Sequence, residues 1–387
     1  MLIQKLQYDT VCVGGGISGV FAAVSSARMG ARTLLLERSG FLGGSASLGL
    51  PLRGIPAERT ALLQEFLSLL AKLDGTGSSI EDSVIAVNGE TVKLALSHLC
   101  RENHVDVLLY TEAREVQIRN HRVQGLTAFG KNANLQIQAP ILVDASGTGD
   151  LLRNAGALLR DQPLRAYASA VLTGLDPAQL CRSWKQAFVQ DGFVQSKPGT
   201  QYYGPLLNGW PVCTITICVE PKRCLVQFPI TNTVDPANPR SRTRAIADVH
   251  LQVYELLKRL SKEPSFESVR ISSIPSWLFL YGAPSAKRAS GRASSAASFP
   301  SEETVATAIT ETGQELSFQI TDLLLQQPDG LLICGALAEY GLCPDTGNAG
   351  AAFSTGEAVG ICGALAALNC CQPSEIHASA IRNAAGL

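Results

Sequence analysis

One stretch, Asp9–Leu50 (DTVCVGGGISGVFAAVSSARMGARTLLLERSGFLGGSASLGL), constrains what this chain can fold into more than any other. The β-branched run Thr10-Val11-Cys12-Val13 reads as a buried parallel strand. Gly14-x-Gly16-x-x-Gly19 makes a turn, Val20–Met29 reads as an Ala- and Ser-rich helix packed close on a sheet, and Thr33–Leu36 is a second strand with Glu37 at its end. Gly14 permits the tight turn, Gly16 lets the backbone approach phosphates, and Gly19 lets helix and strand pack closely. Glu37 lies about twenty residues on, where a carboxylate accepts hydrogen bonds from ribose hydroxyls. The pattern places an adenine dinucleotide at a helix N-terminus. The alternative is a Gly-rich structural turn, or a degenerate site that binds nothing. On these residues NAD and FAD both remain open.

Size and composition set outer bounds. A chain of 387 residues has room for about two to three domains. Net charge is −1, charged residues make up 17%, and no basic block appears, so no nucleic-acid partner is expected. No uninterrupted apolar run reaches about 18 residues, so no transmembrane segment is expected. MLIQKLQYD lacks the charged and apolar regions of a signal peptide. The eleven cysteines are odd in number and form no CxxC, which points to reduced thiols and a cytoplasmic location. Cys213, Cys218 and Cys224 are spaced wrongly for zinc or an iron–sulfur cluster and read as buried small hydrophobes, so no metal site is expected. Neither HExxH nor a GxSxG elbow occurs.

Along the chain, Glu58–Leu73 and Thr91–Glu102 have helical apolar spacing. From Val105 the period changes to two, giving a parallel strand and an antiparallel meander through Ile137. Ala139–Val143 leads into the small-residue turn Asp144-Ala145-Ser146-Gly147-Thr148-Gly149-Asp150 and a short helix. A second region, about Leu158–Ser298, holds strands at Ala166–Leu172, Cys213–Val219 and Leu225–Pro229, and a long helix at Arg240–Leu260. Ser301–Thr310 reads as helical or transitional. Gly330–Gly335 is a strand again, and Ala351–Leu368 an Ala/Gly-rich helix. The fold expected is α/β: a discontinuous Rossmann-like FAD-binding domain (1–50, 90–157 and 328–387) with a second α+β substrate or cap domain (51–89 and 158–327).

GGGISG, LLLERSGFLGG, VDASGTGDLLRNAGA, and LLICGA with a C-terminal GEAVG helix together resemble the FAD-dependent oxidoreductases of the glutathione-reductase-like superfamily, in the branch that carries an ERxGFLGG loop. The resemblance implies FAD lying extended through the protein. ADP would rest on Gly14, Gly16, Ser18, Gly19 and Glu37, with Arg38 beside the adenosine and the Ala113 backbone near adenine. Gly43, Gly44 and Ser45 match the loop that passes the pyrophosphate and flavin. Ala145 and Gly147 match the crossing beneath the cofactor, Gly335 the end of the last strand, and Asn348, Ala349 and Gly350 the helix start near the flavin pyrimidine ring. That helix end would stabilise negative charge on the reduced ring. Members of the group carry an Arg-rich stretch where this chain has Ala286–Arg292, with Arg288 and Arg292 the matching positions. They also carry an Arg near the final helix, where this chain has Asn348. These departures bear on substrate anchoring and catalytic class rather than on flavin binding.

A flavin dehydrogenase needs a substrate C–H near N5 and a base or anion clamp. Arg288 and Arg292 are candidates to clamp a carboxylate, against the reading as solvated loop arginines. Cys343 is a candidate nucleophile, redox thiol or flavin anchor, and Asp345 a candidate base. Tyr202, Tyr203 and Tyr281 are candidate pocket residues. The function expected is hydride transfer between a small organic substrate and flavin N5, with oxidation favoured. Two rivals stand beside it: a partner-dependent or non-catalytic flavin-binding subunit, and an NAD(P)H-using flavin monooxygenase. A homo-oligomer or a redox partner is compatible with either.

Overall fold

The structure is a computed structural model that describes residues 3–77, 82–156, 164–175, 201–205, 212–235, 237–262, 266–274, 278–281, 302–310, 313–325, 327–339 and 348–387. β1 (Ile3–Gln7), β2 (Thr10–Val13), α1 (Ile17–Arg28) and β3 (Thr33–Leu36) open the chain. The short strands β4 (Leu52–Arg53) and β5 (Val84–Ile85) flank α2 (Ala61–Lys72). Next come α3 (Gly89–Glu102), β6 (Asp106–Leu108), β7 (Glu112–Arg119), β8 (Arg122–Gly130), β9 (Ala133–Gln138), β10 (Ile141–Asp144) and α4 (Asp150–Asn154). The second region holds β11 (Leu164–Thr173), β12 (Gln201–Pro205), β13 (Val212–Ile217), β14 (Arg223–Val234), α5 (Pro239–Leu260), β15 (Arg270–Ser273) and β16 (Phe279–Tyr281). β17 (Thr304–Ile309), β18 (Glu315–Gln319), β19 (Leu331–Ile333), α6 (Ala349–Leu368) and α7 (Ala378–Ala385) complete it, besides single helical turns.

Among the described residues, the first sheet is parallel in the order β19-β10-β2-β3-β6. Every residue of β2, β3, β10 and β19 is buried, which is why these strands are continuous apolar runs with no alternation. The chain therefore builds a Rossmann-like α/β fold, with its last strand and helix supplied from the C-terminal part. The meander β7–β8–β9 pairs as its period-two pattern implies, and β1 adds to β9 in parallel.

α6 packs across α1 with the two backbones in contact. A Cβ on Gly356 would stand 2.4 Å from the Ser18 carbonyl oxygen, and one on Gly360 2.2 Å from that of Ala22. Phe21, Phe66 and Phe353 cluster where α1, α2 and α6 meet, with ring centroids 4.6–5.8 Å apart. By length and composition α6 is apolar enough to cross a membrane, which the count of uninterrupted apolar residues misses because Gly and Thr break the run. Here it is a core helix, buried along most of its length.

Two segments pack differently from the sequence expectation. α2 contributes Leu62, Leu63, Phe66, Leu67 and Leu70 to the core shared by α1 and α6, although the sequence pattern groups it with the cap. Residues 304–309 form a strand, not a helix, because pairing with β18 buries Val305, Ala306 and Ala308 in that same core. Four of the strand's six residues are β-branched, so local propensity and pairing act in the same direction there.

The second sheet runs β12-β13-β14-β11-β15, with β16 also on β11, and its pairings are antiparallel. α5 covers one face. Asn238 starts this helix by accepting from Arg240 N and Ser241 N at 3.0 and 3.3 Å, ahead of Pro239 in the first turn. Its Val249, Val253, Leu256 and Leu260 pack on Ala168, Ala170, Leu172, Ile215, Val226 and Phe228.

Glu357 ties α6 to α2. Its buried Oε2 accepts from Thr60 Oγ1 at 2.6 Å, and Thr60 Oγ1 in turn caps α2 by accepting from Leu63 N. Burial raises the Glu357 carboxyl to about 7, against the lowering effects of the Thr60 bond and of Arg28. The folded state thus holds this proton more tightly than the unfolded chain, so the group's contribution to stability is lost as pH rises from about 4.5 through about 7. Glu357→Gln keeps the acceptor without the charge. Urea unfolding of the variant should show a flatter pH profile between about 4.5 and 7, gaining on the order of 2 kcal/mol over wild type above pH 7.

Candidate cofactor and active site

The turn after β2 is built from backbone contacts that only glycine allows. Gly14 has φ +108°, and a Cβ there would stand 2.3 Å from the Ala145 carbonyl oxygen. A Cβ on Gly19 would stand 1.8 Å from the Gly14 oxygen, so α1 lies directly on the turn. Gly14 N donates to Leu36 O at 2.8 Å and Ala145 N to Val13 O at 2.9 Å, which lock the turn between β3 and β10. Gly16 is different in kind. It caps α1 with an extended backbone (φ −67°), no side-chain cap bond and no acidic residue in the first turn. A Cβ on Gly16 would meet nothing within 4 Å, and the same holds for Gly147.

Glu37 is buried at the end of β3, 6% exposed. Its Oε2 accepts from Gly15 N and its Oε1 from Ser39 N, both at 2.6 Å. The carboxylate is thereby held rigidly beside the turn, with lone pairs left on each oxygen. The Phe41–Gly44 loop lies against the turn: Gly43 N donates to Gly15 O at 2.8 Å, and a Cβ on Gly44 would come 3.2 Å from Gly16 Cα. Ser45 is exposed in the 3-10 turn Gly44–Leu48. Arg38 is exposed, and Arg242 of α5 stands within electrostatic range of it. Ala113 sits half-buried on β7, paired with Ala128.

Asp144 is fully buried and organises the crossing under the turn. Its Oδ1 accepts from Ser146 N and Ser146 Oγ at 3.1 and 2.6 Å, and its Oδ2 from Leu151 N and Leu152 N at 2.9 and 3.0 Å. It therefore caps α4 from inside the sheet. Burial, aided by the charge of Asp150, pushes its carboxyl up to about 6. An acid closing an apolar strand before a small-residue turn is the signal that marks it, and the sequence pattern alone assigned it no role.

Near the C-terminal helix, Gly335 has φ +62° and packs on Ser18, while its N–H donates to Thr355 Oγ1 at 3.0 Å. Asn348 caps α6: its Oδ1 accepts from Ala351 N at 2.9 Å and its Nδ2 donates to Ile309 O at 2.7 Å. A Cβ on Gly350 would stand 1.7 Å from the Gly54 oxygen, so Gly350 is a packing position against a residue the motifs do not reveal. Ala349 and Gly350 begin the helix, and what they offer is backbone N–H and dipole rather than side chain. Of the expected catalytic residues, Arg288, Arg292, Cys343 and Asp345 all lie outside the described residues. Cys12, Cys100, Cys218, Cys334 and Cys362 are buried free thiols that burial holds in the protonated form.

The arrangement fits a dinucleotide. Two glycines whose Cβ positions are open, a helix start without a side-chain cap, and a rigid buried carboxylate stand together at the carboxyl end of the parallel sheet.

The chain is similar to known proteins in sequence and in fold. Residues 9–161 match the family model of the FAD-dependent oxidoreductases. A thiamine thiazole synthase from Aeropyrum pernix is 28% identical over 125 residues, which cover 32% of this chain and 45% of that enzyme. The match thus spans less than half of that relative. In fold, the chain is similar to a geranylgeranyl bacteriochlorophyll reductase-like protein from Thermoplasma acidophilum (TM-score 0.54, 13% identity, 98% of this chain and 82% of that one). It is likewise similar to the flavin-dependent brominase Bmp2 (TM-score 0.53, 15% identity, 98% and 83%). The p-nitrophenol 4-monooxygenase PnpA of Pseudomonas putida is a third (TM-score 0.50, 11% identity, 99% and 84%). The cofactor is FAD.

The two kinds of glycine separate cleanly in a test. Gly14→Ala should cost about 3 kcal/mol or more in urea unfolding of the apoprotein, from positive φ and overlap with backbone. Gly16→Ala, whose Cβ meets nothing within 4 Å, should cost no more than about 1 kcal/mol in that unfolding yet weaken FAD binding by at least about tenfold in a fluorescence titration.

Proposed function

We propose that this chain is an FAD-dependent oxidoreductase that oxidises a small organic substrate. The observation that carries the reading is the open cradle at Gly16 and Gly147 beside the rigid Glu37, in a stretch that matches the FAD-dependent oxidoreductase model. When bound, FAD supplies an N5 that accepts a hydride from carbon. The protein's part is to hold the cofactor, position the substrate and keep water out. Gly16 and the start of α1 would take the pyrophosphate, and Glu37 the ribose hydroxyls. The start of α6, capped by Asn348, would lay its positive end toward the flavin and stabilise the negative charge that reduction places there.

The second sheet supports this division of labour. Leu50, just past the Gly44–Leu48 turn, packs on Val171, Cys218 and Leu225 of the second sheet and its turn. Asn88 Nδ2, at the cap of α3, donates to Glu220 Oε1 at 3.0 Å, and Glu220 also pairs with Arg223 at 2.8 Å. The two units thus meet beside the loop that lies on Gly16, which would bring the second sheet to the cofactor.

The test is anaerobic photoreduction of the FAD-loaded protein, followed by air. The flavin spectrum should bleach and then recover, and NADPH alone should leave it oxidised. Rapid NADPH oxidation would favour a monooxygenase instead. A protein that stays colourless with added FAD would contradict the proposal.

A further inference from the structure

The second sheet has two chemically different faces. Along β11, Ala166, Ala168, Ala170 and Leu172 point to the apolar side, where α5 covers Ala168, Ala170 and Leu172. The intervening residues Tyr167, Ser169 and Val171 therefore point the other way. The register carries this second face across the neighbouring strands. Ser169 is opposite Gln227, which is opposite Thr214; Val171 is opposite Leu225, which is opposite Thr216; Tyr167 is opposite Pro229. In β12, Tyr203 takes the position opposite Thr214.

Three observations mark this face as a ligand surface. First, it faces the cofactor unit, since Val171 and Leu225 are the residues that Leu50 touches. Second, it is polar yet withdrawn from solvent: Ser169 is 6% exposed, Gln227 7% and Thr216 0%. Third, the Ser169 hydroxyl is buried with no hydrogen-bond partner. A buried hydroxyl left unpaired costs about 1–3 kcal/mol, a cost that a hydrogen-bonding ligand would remove. Across these rows the described residues include no carboxylate, ammonium or guanidinium, and the phenols in the register are those of Tyr167 and Tyr203. The nearest charge along β14, Arg223, is paired with Glu220. An ion placed on these rows would lose its hydration without gaining a counter-charge, whereas Ser, Gln and Thr each both donate and accept to a neutral group.

We propose that this face, through Ser169, Gln227, Thr214 and Thr216, binds the substrate, and that it selects an uncharged organic molecule bearing a hydroxyl, carbonyl or carboxamide. The proposal rests on the oxidoreductase reading above and deepens it by giving the substrate class. Gln227 and Ser169 are positioning residues: they orient the substrate's neutral polar group and so decide which carbon faces the cofactor.

Calorimetric titration of the FAD-loaded full chain tests this with three uncharged probes, benzamide, benzyl alcohol and cyclohexanone, against benzoate and benzylamine. At least one neutral probe should bind saturably and shift the flavin absorption, and the two ions should bind at least about tenfold more weakly than it. Ser169→Ala and Gln227→Leu should each weaken the neutral probe by about fivefold to tenfold while FAD content stays at the wild-type value and the thermal midpoint does not fall. Ser169→Thr, which keeps the hydroxyl, should restore most of the affinity. Tighter binding of benzoate or benzylamine, no saturable binding of any neutral probe, or unchanged affinity in both variants would overturn the proposal. Photoreduction of the same preparations separates the two claims. Flavin that reduces normally while the probes fail sinks only the substrate class, whereas a preparation that takes up no FAD sinks the oxidoreductase reading.

Discussion

The first unit depends on backbone meeting backbone. Gly14 lies against the Ala145 carbonyl, Gly19 against the Gly14 carbonyl, Gly356 and Gly360 against the carbonyls of Ser18 and Ala22, and Gly350 against that of Gly54. Each contact falls below the distance at which a Cβ fits, so the spacing of sheet, α1 and α6 is set by the absence of side chains. This accounts for the Ala- and Gly-rich composition of α1 and α6: helices buried on nearly all sides show little amphipathic pattern. The same layer holds Gly16 and Gly147, where nothing stands in the Cβ direction. The packing glycines fix the floor, and the open glycines leave room above it.

Polar groups then hold the cradle still. Glu37 bonds to the turn it stands beside, Asp144 takes four donors from the crossing beneath, and Asn348 joins the start of α6 to β17. Buried carboxylates of this sort are costly unless saturated with hydrogen bonds, and Asp144 is so saturated. The second unit works by contrast of faces. Its apolar face is closed by α5, and its polar face is joined to the first unit at Leu50 and Asn88.

Much of the first unit was legible because its rules are local. The Gly14–Gly19 spacing, the run Thr33–Leu36 with Glu37, and the alternation of the meander each express a short-range steric or periodic constraint. Long-range packing was not legible. Thr304–Ile309 is rich in β-branched residues but does not itself reveal β18 as its partner, and α2 looks like any amphipathic helix until Phe66 is seen against Phe21 and Phe353. Gly54 belongs to no motif, yet Asn348 and Gly350 are built around it. Ser169 and Gln227 lie far apart in sequence, and only the strand register sets them side by side.

The central claim is that this cradle recognises a complete adenine dinucleotide carrying a flavin. Titration of the apoprotein with FAD, FMN and NAD tests it most directly, read by flavin fluorescence and calorimetry. FAD should bind one to one, with FMN and NAD at least about 100-fold weaker, because the pyrophosphate, ribose and flavin sites are filled together only by FAD. Equal affinity for FMN, or tighter binding of NAD than of FAD, would contradict the account.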